Sequence, residues 1–97
     1  MTLVGNSQYE IRSVLFPTKV FDVTGESKKV YEHLIVYDSH GKLNQRWLIH
    51  KLPNSPFCKI ESAYSKMVME VEGGVDQDGV GVVQNIDYNN LSQMWAL

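Results

Sequence analysis

A single cysteine, Cys58, stands in this chain of 97 residues. That excludes an internal disulfide framework and a cysteine-rich zinc site. An excess of charge of one sign is equally absent. Nine basic against eleven acidic side chains leave a formal net charge of −2, and no lysine–arginine stripe offsets it, so the electrostatic footprint of a nucleic-acid binder is missing. No apolar run approaches the roughly 20 residues that cross a bilayer as a helix, and membrane insertion is not expected. The opening Met1-Thr2-Leu3-Val4-Gly5-Asn6 has neither the basic nor the hydrophobic segment of a secretory signal. The expected location is therefore the cytoplasm, or the exterior by a route that needs no signal. What the chain does have is 43% hydrophobic and 10% aromatic residues, enough for one real core in one domain spanning residues 1–97.

Helical periodicity is also lacking. The apolar segments are short and rich in β-branched and aromatic residues: Tyr9–Val14, Val20–Val23, His33–Tyr37, Arg46–Ile49, Phe57–Ile60, Met67–Val71, Val80–Val83 and Met94–Leu97. Most alternate over four to six positions, as half-buried strands do. Pro17, Thr24-Gly25-Glu26, Ser39-His40-Gly41, Pro53–Pro56, Glu72-Gly73-Gly74 and Tyr88-Asn89-Asn90 separate them at the spacing of a sandwich or barrel. The fold expected is all-β, with helix confined to short pieces near Gly25–Val30 or Leu43–Gln45.

The segments repeat. Gln45-Arg46-Trp47 and Gln93-Met94-Trp95 lie 48 residues apart and contain both tryptophans of the chain. The same offset relates Leu43 to Leu91 and Asp22-Val23 to Glu70-Val71, while Ile11-x-Ser13 returns as Ile60-x-Ser62 after 49. Self-similarity at a fixed period marks a repeat architecture. Each unit reads as four short strands, the first about 9–50 and the second about 57–97, joined at Pro53–Pro56.

Tyr9-x-Ile11-x-Ser13, Val20-x-Asp22-Val23, Val36-Tyr37 and Asn44-Gln45-x-Trp47 together resemble one unit of a ricin-B-type β-trefoil lectin. Ile60-x-Ser62, Val71-Glu72-Gly73-Gly74, Asp78-Gly79, Val83-Gln84 and Gln93-x-Trp95 resemble a second. The resemblance implies a β-trefoil-like fold, which is normally built from three such units, whereas two are present. A barrel short of one unit exposes backbone groups along two edges and a wedge of apolar core. Either copies of the chain or a partner chain complete it, or the sequence belongs to a longer polypeptide, or the two units close in another way.

The resemblance also implies a sugar site in each unit. An acid on the Asp-Val strand accepts hydrogen bonds from vicinal hydroxyls, a ring stacks on the pyranose C–H face, and an Asn before Gln-x-Trp completes the polar set. In the first unit these roles fall to Asp22, Tyr37 and Asn44, with Gln45 orienting Asp22 and His40 on the adjoining loop. The second unit is poorer: Glu70 replaces the aspartate, Asn85 stands where Tyr37 would recur, Ser92 replaces the asparagine, and Tyr88 is the candidate ring. Its weaker site is Glu70, Tyr88 and Gln93. Trp47 and Trp95 are expected to be structural, filling core volume.

Other motifs point nowhere. Asp76-Gln77-Asp78-Gly79-Val80-Gly81 through Asp87 imitates a calcium loop, but Val80 holds its fifth position and the flanks are β-branched. His33, His40 and His50 lack metal-ligand spacing, so neither metal nor cofactor is expected. No nucleophile elbow or Ser-His-Asp order appears, so no enzyme is expected. The function implied is a non-catalytic lectin module for galactose- or N-acetylgalactosamine-type glycans. The alternative is a protein-interaction module or complex subunit, protease-inhibitor-like included, that binds no sugar.

Overall fold

The computed structural model of the chain describes residues 2–5, 7–74 and 78–96. Asp76 and Gln77 of the calcium-loop-like motif lie outside the described residues. The rest is all-β: β1 (Thr2–Gly5), β2 (Gln8–Glu10), β3 (Lys19–Val23), β4 (Leu34–Asp38), β5 (Trp47–Lys51), β6 (Phe57–Ser62), β7 (Val68–Val71), β8 (Val82–Asn85) and β9 (Trp95–Ala96). Single 3-10 turns at Thr24–Glu26, Leu43–Gln45, Glu72–Gly74 and Leu91–Gln93 supply the helical content of the described residues. No helix among them is long and apolar enough to cross a membrane.

Two hairpins share one build. β3 pairs with β4, setting Asp22 opposite Ile35, and β7 pairs with β8, setting Glu70 opposite Val83. The same 48-residue offset relates both pairs. The larger sheet runs β1-β2-β5-β6-β7-β8, with β9 also beside β6. Tyr9 faces Trp47 across the sheet as Cys58 faces Trp95. The indoles make equivalent bonds: Trp47 Nε1 donates to the Phe21 carbonyl at 3.3 Å and Trp95 Nε1 to the Met69 carbonyl at 3.1 Å. Both tryptophans therefore pin a strand to its own hairpin.

The core is Val23, Trp47, Cys58, Ile60 and Met69, with Ile11, Phe21, Leu34, Ile49, Val82 and Trp95 packed against it. These are the inward positions of the alternating strands. Cys58 acts there as a small hydrophobe: burial pushes its thiol above its ordinary pKa, although the Lys51 charge opposes this.

Two features differ from the sequence expectation. Thr2–Gly5 forms a strand against β2, where a four-residue run with no alternation gave no signal. Val14 does not end a strand: beyond Glu10 only a lone Arg12–Val20 bridge continues the pairing, and Ser13 Oγ accepts the Phe16 amide at 3.0 Å to turn the chain. Val14 is left 98% exposed, with Leu15 and Phe16 beside it.

The hairpins also meet. Gln84 on β8 is fully buried, and its Nε2 donates to the carbonyls of Ser27 at 3.1 Å and Lys29 at 2.8 Å. The Tyr31 amide donates to the Gln84 carbonyl and the Gln84 amide to that of Glu32. The segment after β3 thus covers the edge of β8. Gln84→Ala should lose both side-chain bonds and leave a void, lowering stability by about 2–3 kcal/mol, measurable as a shift of the urea midpoint at unchanged slope.

Candidate functional site

The β3–β4 hairpin carries the acid and the ring on one face. In an antiparallel pair, opposed residues share a face and so do residues two apart, so Asp22, Ile35 and Tyr37 project together. The chain then turns at Ser39–Lys42 and enters the 3-10 turn Leu43–Gln45, which buries Asn44 and Gln45. These two amides approach Asp22 from the other side.

Asp22 is 3% exposed and held by two neighbouring amides. Asn44 Nδ2 donates to its Oδ1 at 3.2 Å, and Gln45 Nε2 to its Oδ2 at 2.8 Å. Gln45 Nε2 also donates to the Asp38 carbonyl, while its Oε1 accepts the His40 amide, both at 2.8 Å. The glutamine therefore ties β3, the end of β4 and the His40 loop to one side chain. A carboxylate has about four acceptor positions; the protein uses two, leaving two for a ligand. His40 Nδ1 accepts the Lys42 amide at 3.1 Å, so the neutral ring carries its proton on Nε2, 3.6 Å from Asp22 Oδ2. The Asn44 amide oxygen is buried without a partner among the described residues.

These residues line one cleft of about 480 Å³: Asp22, Tyr37, His40 and Asn44 with Thr24, Gly25, Glu26 and Ile35. Gln45 lies behind it, orienting Asp22. Tyr37 stays 55% exposed at the opening. The arrangement offers fixed acceptors, one N–H donor and an open aromatic face, a set suited to a small polyhydroxylated ligand. Sequence reading missed Glu26 and Ile35. Ile35 is signalled by its two-residue spacing from Tyr37 on one strand; Glu26 has no signal except that its counterpart after 48 residues is Gly74.

The second unit repeats the frame but not the opening. Gln93 Nε2 donates to Glu70 Oε1 and to the Ile86 carbonyl, both at 2.8 Å, and its Oε1 accepts the Tyr88 amide at 3.0 Å. Asn85, in the place of Tyr37, also donates to Glu70 Oε1 at 3.2 Å. Tyr88 stands in the place of His40, not of the ring, and is exposed. The rim is tied to the first unit, since His33 Nε2 lies 2.9 Å from Glu72 Oε2 and the Gly73 amide donates to the Tyr31 hydroxyl.

A separate polar patch joins His50, Lys59, Glu61 and Asp87 on the outer surface. Lys59 Nζ lies 3.0 Å from Asp87 Oδ2, and His50 Nε2 2.6 Å from Glu61 Oε1. Partial burial raises the Asp87 carboxyl, but the Asn89 amide, Lys59 and His50 outweigh it and hold the carboxyl below its ordinary range. A lowered folded pKa stabilises above the unfolded value and is lost as pH falls through the folded one. Asp87→Asn should thus be less stable than wild type at pH 7, by about 1 kcal/mol or less because solvent screens the half-exposed Asp87 carboxylate. The difference should fade as pH drops through the lowered carboxyl pKa and be gone once the group is protonated in both states, as urea unfolding at several pH values would read.

Residues 2–85 match the family model described as a ricin-type beta-trefoil lectin domain-like domain. The chain belongs to this family. Solved structures agree with the β-trefoil-like fold. The lectin-like domain is similar to ThreeFoil, a designed 3-fold symmetric protein, at 24% identity and TM-score 0.93, covering 98% of this chain and 66% of that one. It is similar to 1,3Gal43A, an exo-beta-1,3-galactanase from Clostridium thermocellum, at 29% identity and TM-score 0.93, covering 99% of this chain and 20% of that one. The protein of the PSL1a-E64 complex matches at 18% identity and TM-score 0.83, over 99% of this chain and 34% of that one. The domain thus spans less than two thirds of each of these structures. No curated protein matches it.

Proposed function

We propose that the domain is a non-catalytic carbohydrate-binding module that takes galactose- or N-acetylgalactosamine-type glycans in the cleft of Asp22, Tyr37, His40 and Asn44, with Gln45 positioning the acid. The observation carrying this reading is a buried carboxylate, held by two amides with acceptor capacity to spare, beside an exposed tyrosine ring. Family membership supports it, as does likeness to one part of a galactanase. Glu70, Tyr88 and Gln93 form the weaker second site, because Asn85 caps the acid where the first unit opens a ring.

In this reading the units are about residues 9–50 and 57–97. Tyr31–His33 of the first covers β8 of the second, whereas β4, the counterpart of β8, leaves Ile35 and Val36 exposed. A further unit, from a second copy or a partner chain, belongs there, and several linked sites give the avidity that one shallow site lacks. The exposed Val14-Leu15-Phe16 tip favours the second reading, a protein-interaction module. Calorimetric titration with galactose and N-acetylgalactosamine, run beside light scattering, separates the two. Sugar binding by an oligomer supports the lectin; silence across both sugars supports the interaction module.

A further inference from the structure

The turn after β3 passes through two consecutive residues in the left-handed region, Gly25 at φ 59° and Glu26 at φ 55°. The turn after β7 does the same at Gly73 (φ 69°) and Gly74 (φ 60°). One backbone shape thus serves both units, and in the second it is glycine twice. The first unit keeps a glutamate in a conformation that disfavours any side chain.

Nothing among the described residues offsets this. Glu26 is exposed, so it fills no core. Among the described residues its charged partner is Lys42, whose Nζ lies 3.5 Å from Oε1, with the two side chains 68% and 46% exposed. Exposed pairs of this kind contribute little. What distinguishes Glu26 is its place on the wall of the cleft with Asp22, Tyr37, His40 and Asn44. The turn brings a second carboxylate to the lining of a cleft that already holds Asp22, with Lys42 beside it.

We propose that Glu26 is a specificity-determining residue of the cleft: its carboxylate accepts a hydrogen bond from a saccharide hydroxyl, and its charge, added to that of Asp22, rejects acidic saccharides. The class selected is neutral hexoses and N-acetylhexosamines, against uronates and sulfated sugars. This rests on the carbohydrate reading above. Discrimination of this kind comes from a repulsive element as much as an attractive one.

The test titrates galactose and galacturonic acid into wild type, Glu26→Gln and Glu26→Gly. Wild type should prefer galactose, and Glu26→Gln should narrow that preference about three- to tenfold, the size of one partly screened charge pair. Glu26→Gly should narrow it likewise and melt no lower than wild type, since the backbone already suits glycine. An unchanged preference in Glu26→Gln would overturn the role of Glu26 while leaving the carbohydrate reading standing. A glycine variant that melts well below wild type would make the side chain structural and overturn it too. Wild type binding neither sugar would overturn both.

Discussion

Tyr37→Ala should weaken galactose binding at least tenfold while changing stability by less than about 1 kcal/mol, and Asp22→Ala should remove binding altogether. The two losses have different causes. Tyr37 is half in solvent on β4, so its removal costs little beyond strand propensity. A bound pyranose, however, would lose the ring that covers its C–H face, a contact whose aromatic contribution is on the order of 0.5–1.5 kcal/mol on top of the buried area. Asp22 is buried. Without it, Gln45 Nε2 keeps the Asp38 carbonyl and Asn44 Nδ2 keeps the Val23 carbonyl at 3.3 Å, but each loses its charged acceptor. That should cost about 1–3 kcal/mol of stability as well as the groups that meet the sugar. Calorimetry with parallel thermal melts checks both variants. Because Tyr37→Ala leaves the frame intact, it is decisive: undiminished binding in that variant removes the cleft from consideration.

Trp47→Ala should be the most damaging single change to the fold. The indole is fully buried at the centre of the core and donates to the Phe21 carbonyl. Truncations of this kind cost about 3–5 kcal/mol, a large part of the 5–15 kcal/mol typical of a whole domain. The equivalent Trp95→Ala should cost less, about 2–3 kcal/mol, because Trp95 is only partly buried on the short β9, whose described partner is β6. Urea unfolding followed by circular dichroism should give the midpoint order wild type, then Trp95→Ala, then Trp47→Ala. Equal losses would mean that the two units bury their indoles equally in solution.

The inequality of the two indoles bears on what could be read without coordinates. The Gln-x-Trp pairs marked equivalent positions, and their bonds recur at the same offset: Gln45 to Asp38, Gln93 to Ile86, Trp47 to Phe21, Trp95 to Met69. Nothing in the spacing said that one tryptophan is buried and the other half-buried, since that depends on how many strands lie beside each. Asn85 shows the same limit from the other side. Its inability to stack was visible in the sequence, but its bond to Glu70 required the hairpin register.

The sequence by itself determined the all-β class and the 48-residue period, and it named the residues from which the first-unit cleft is proposed. The class and the period follow from alternation within a strand and from residues held at constant offsets, which are local or periodic, whereas the cleft residues were implied by the resemblance to ricin-B-type units. Tertiary structure alone decided that Glu26 joins Asp22 on one wall, that Thr2–Gly5 becomes a strand, that Val14-Leu15-Phe16 points outward, and that His33 of one unit pairs with Glu72 of the other. Each of these depends on the path of a turn or on two segments distant in sequence meeting, and no local pattern encodes where a turn delivers the side chain it carries.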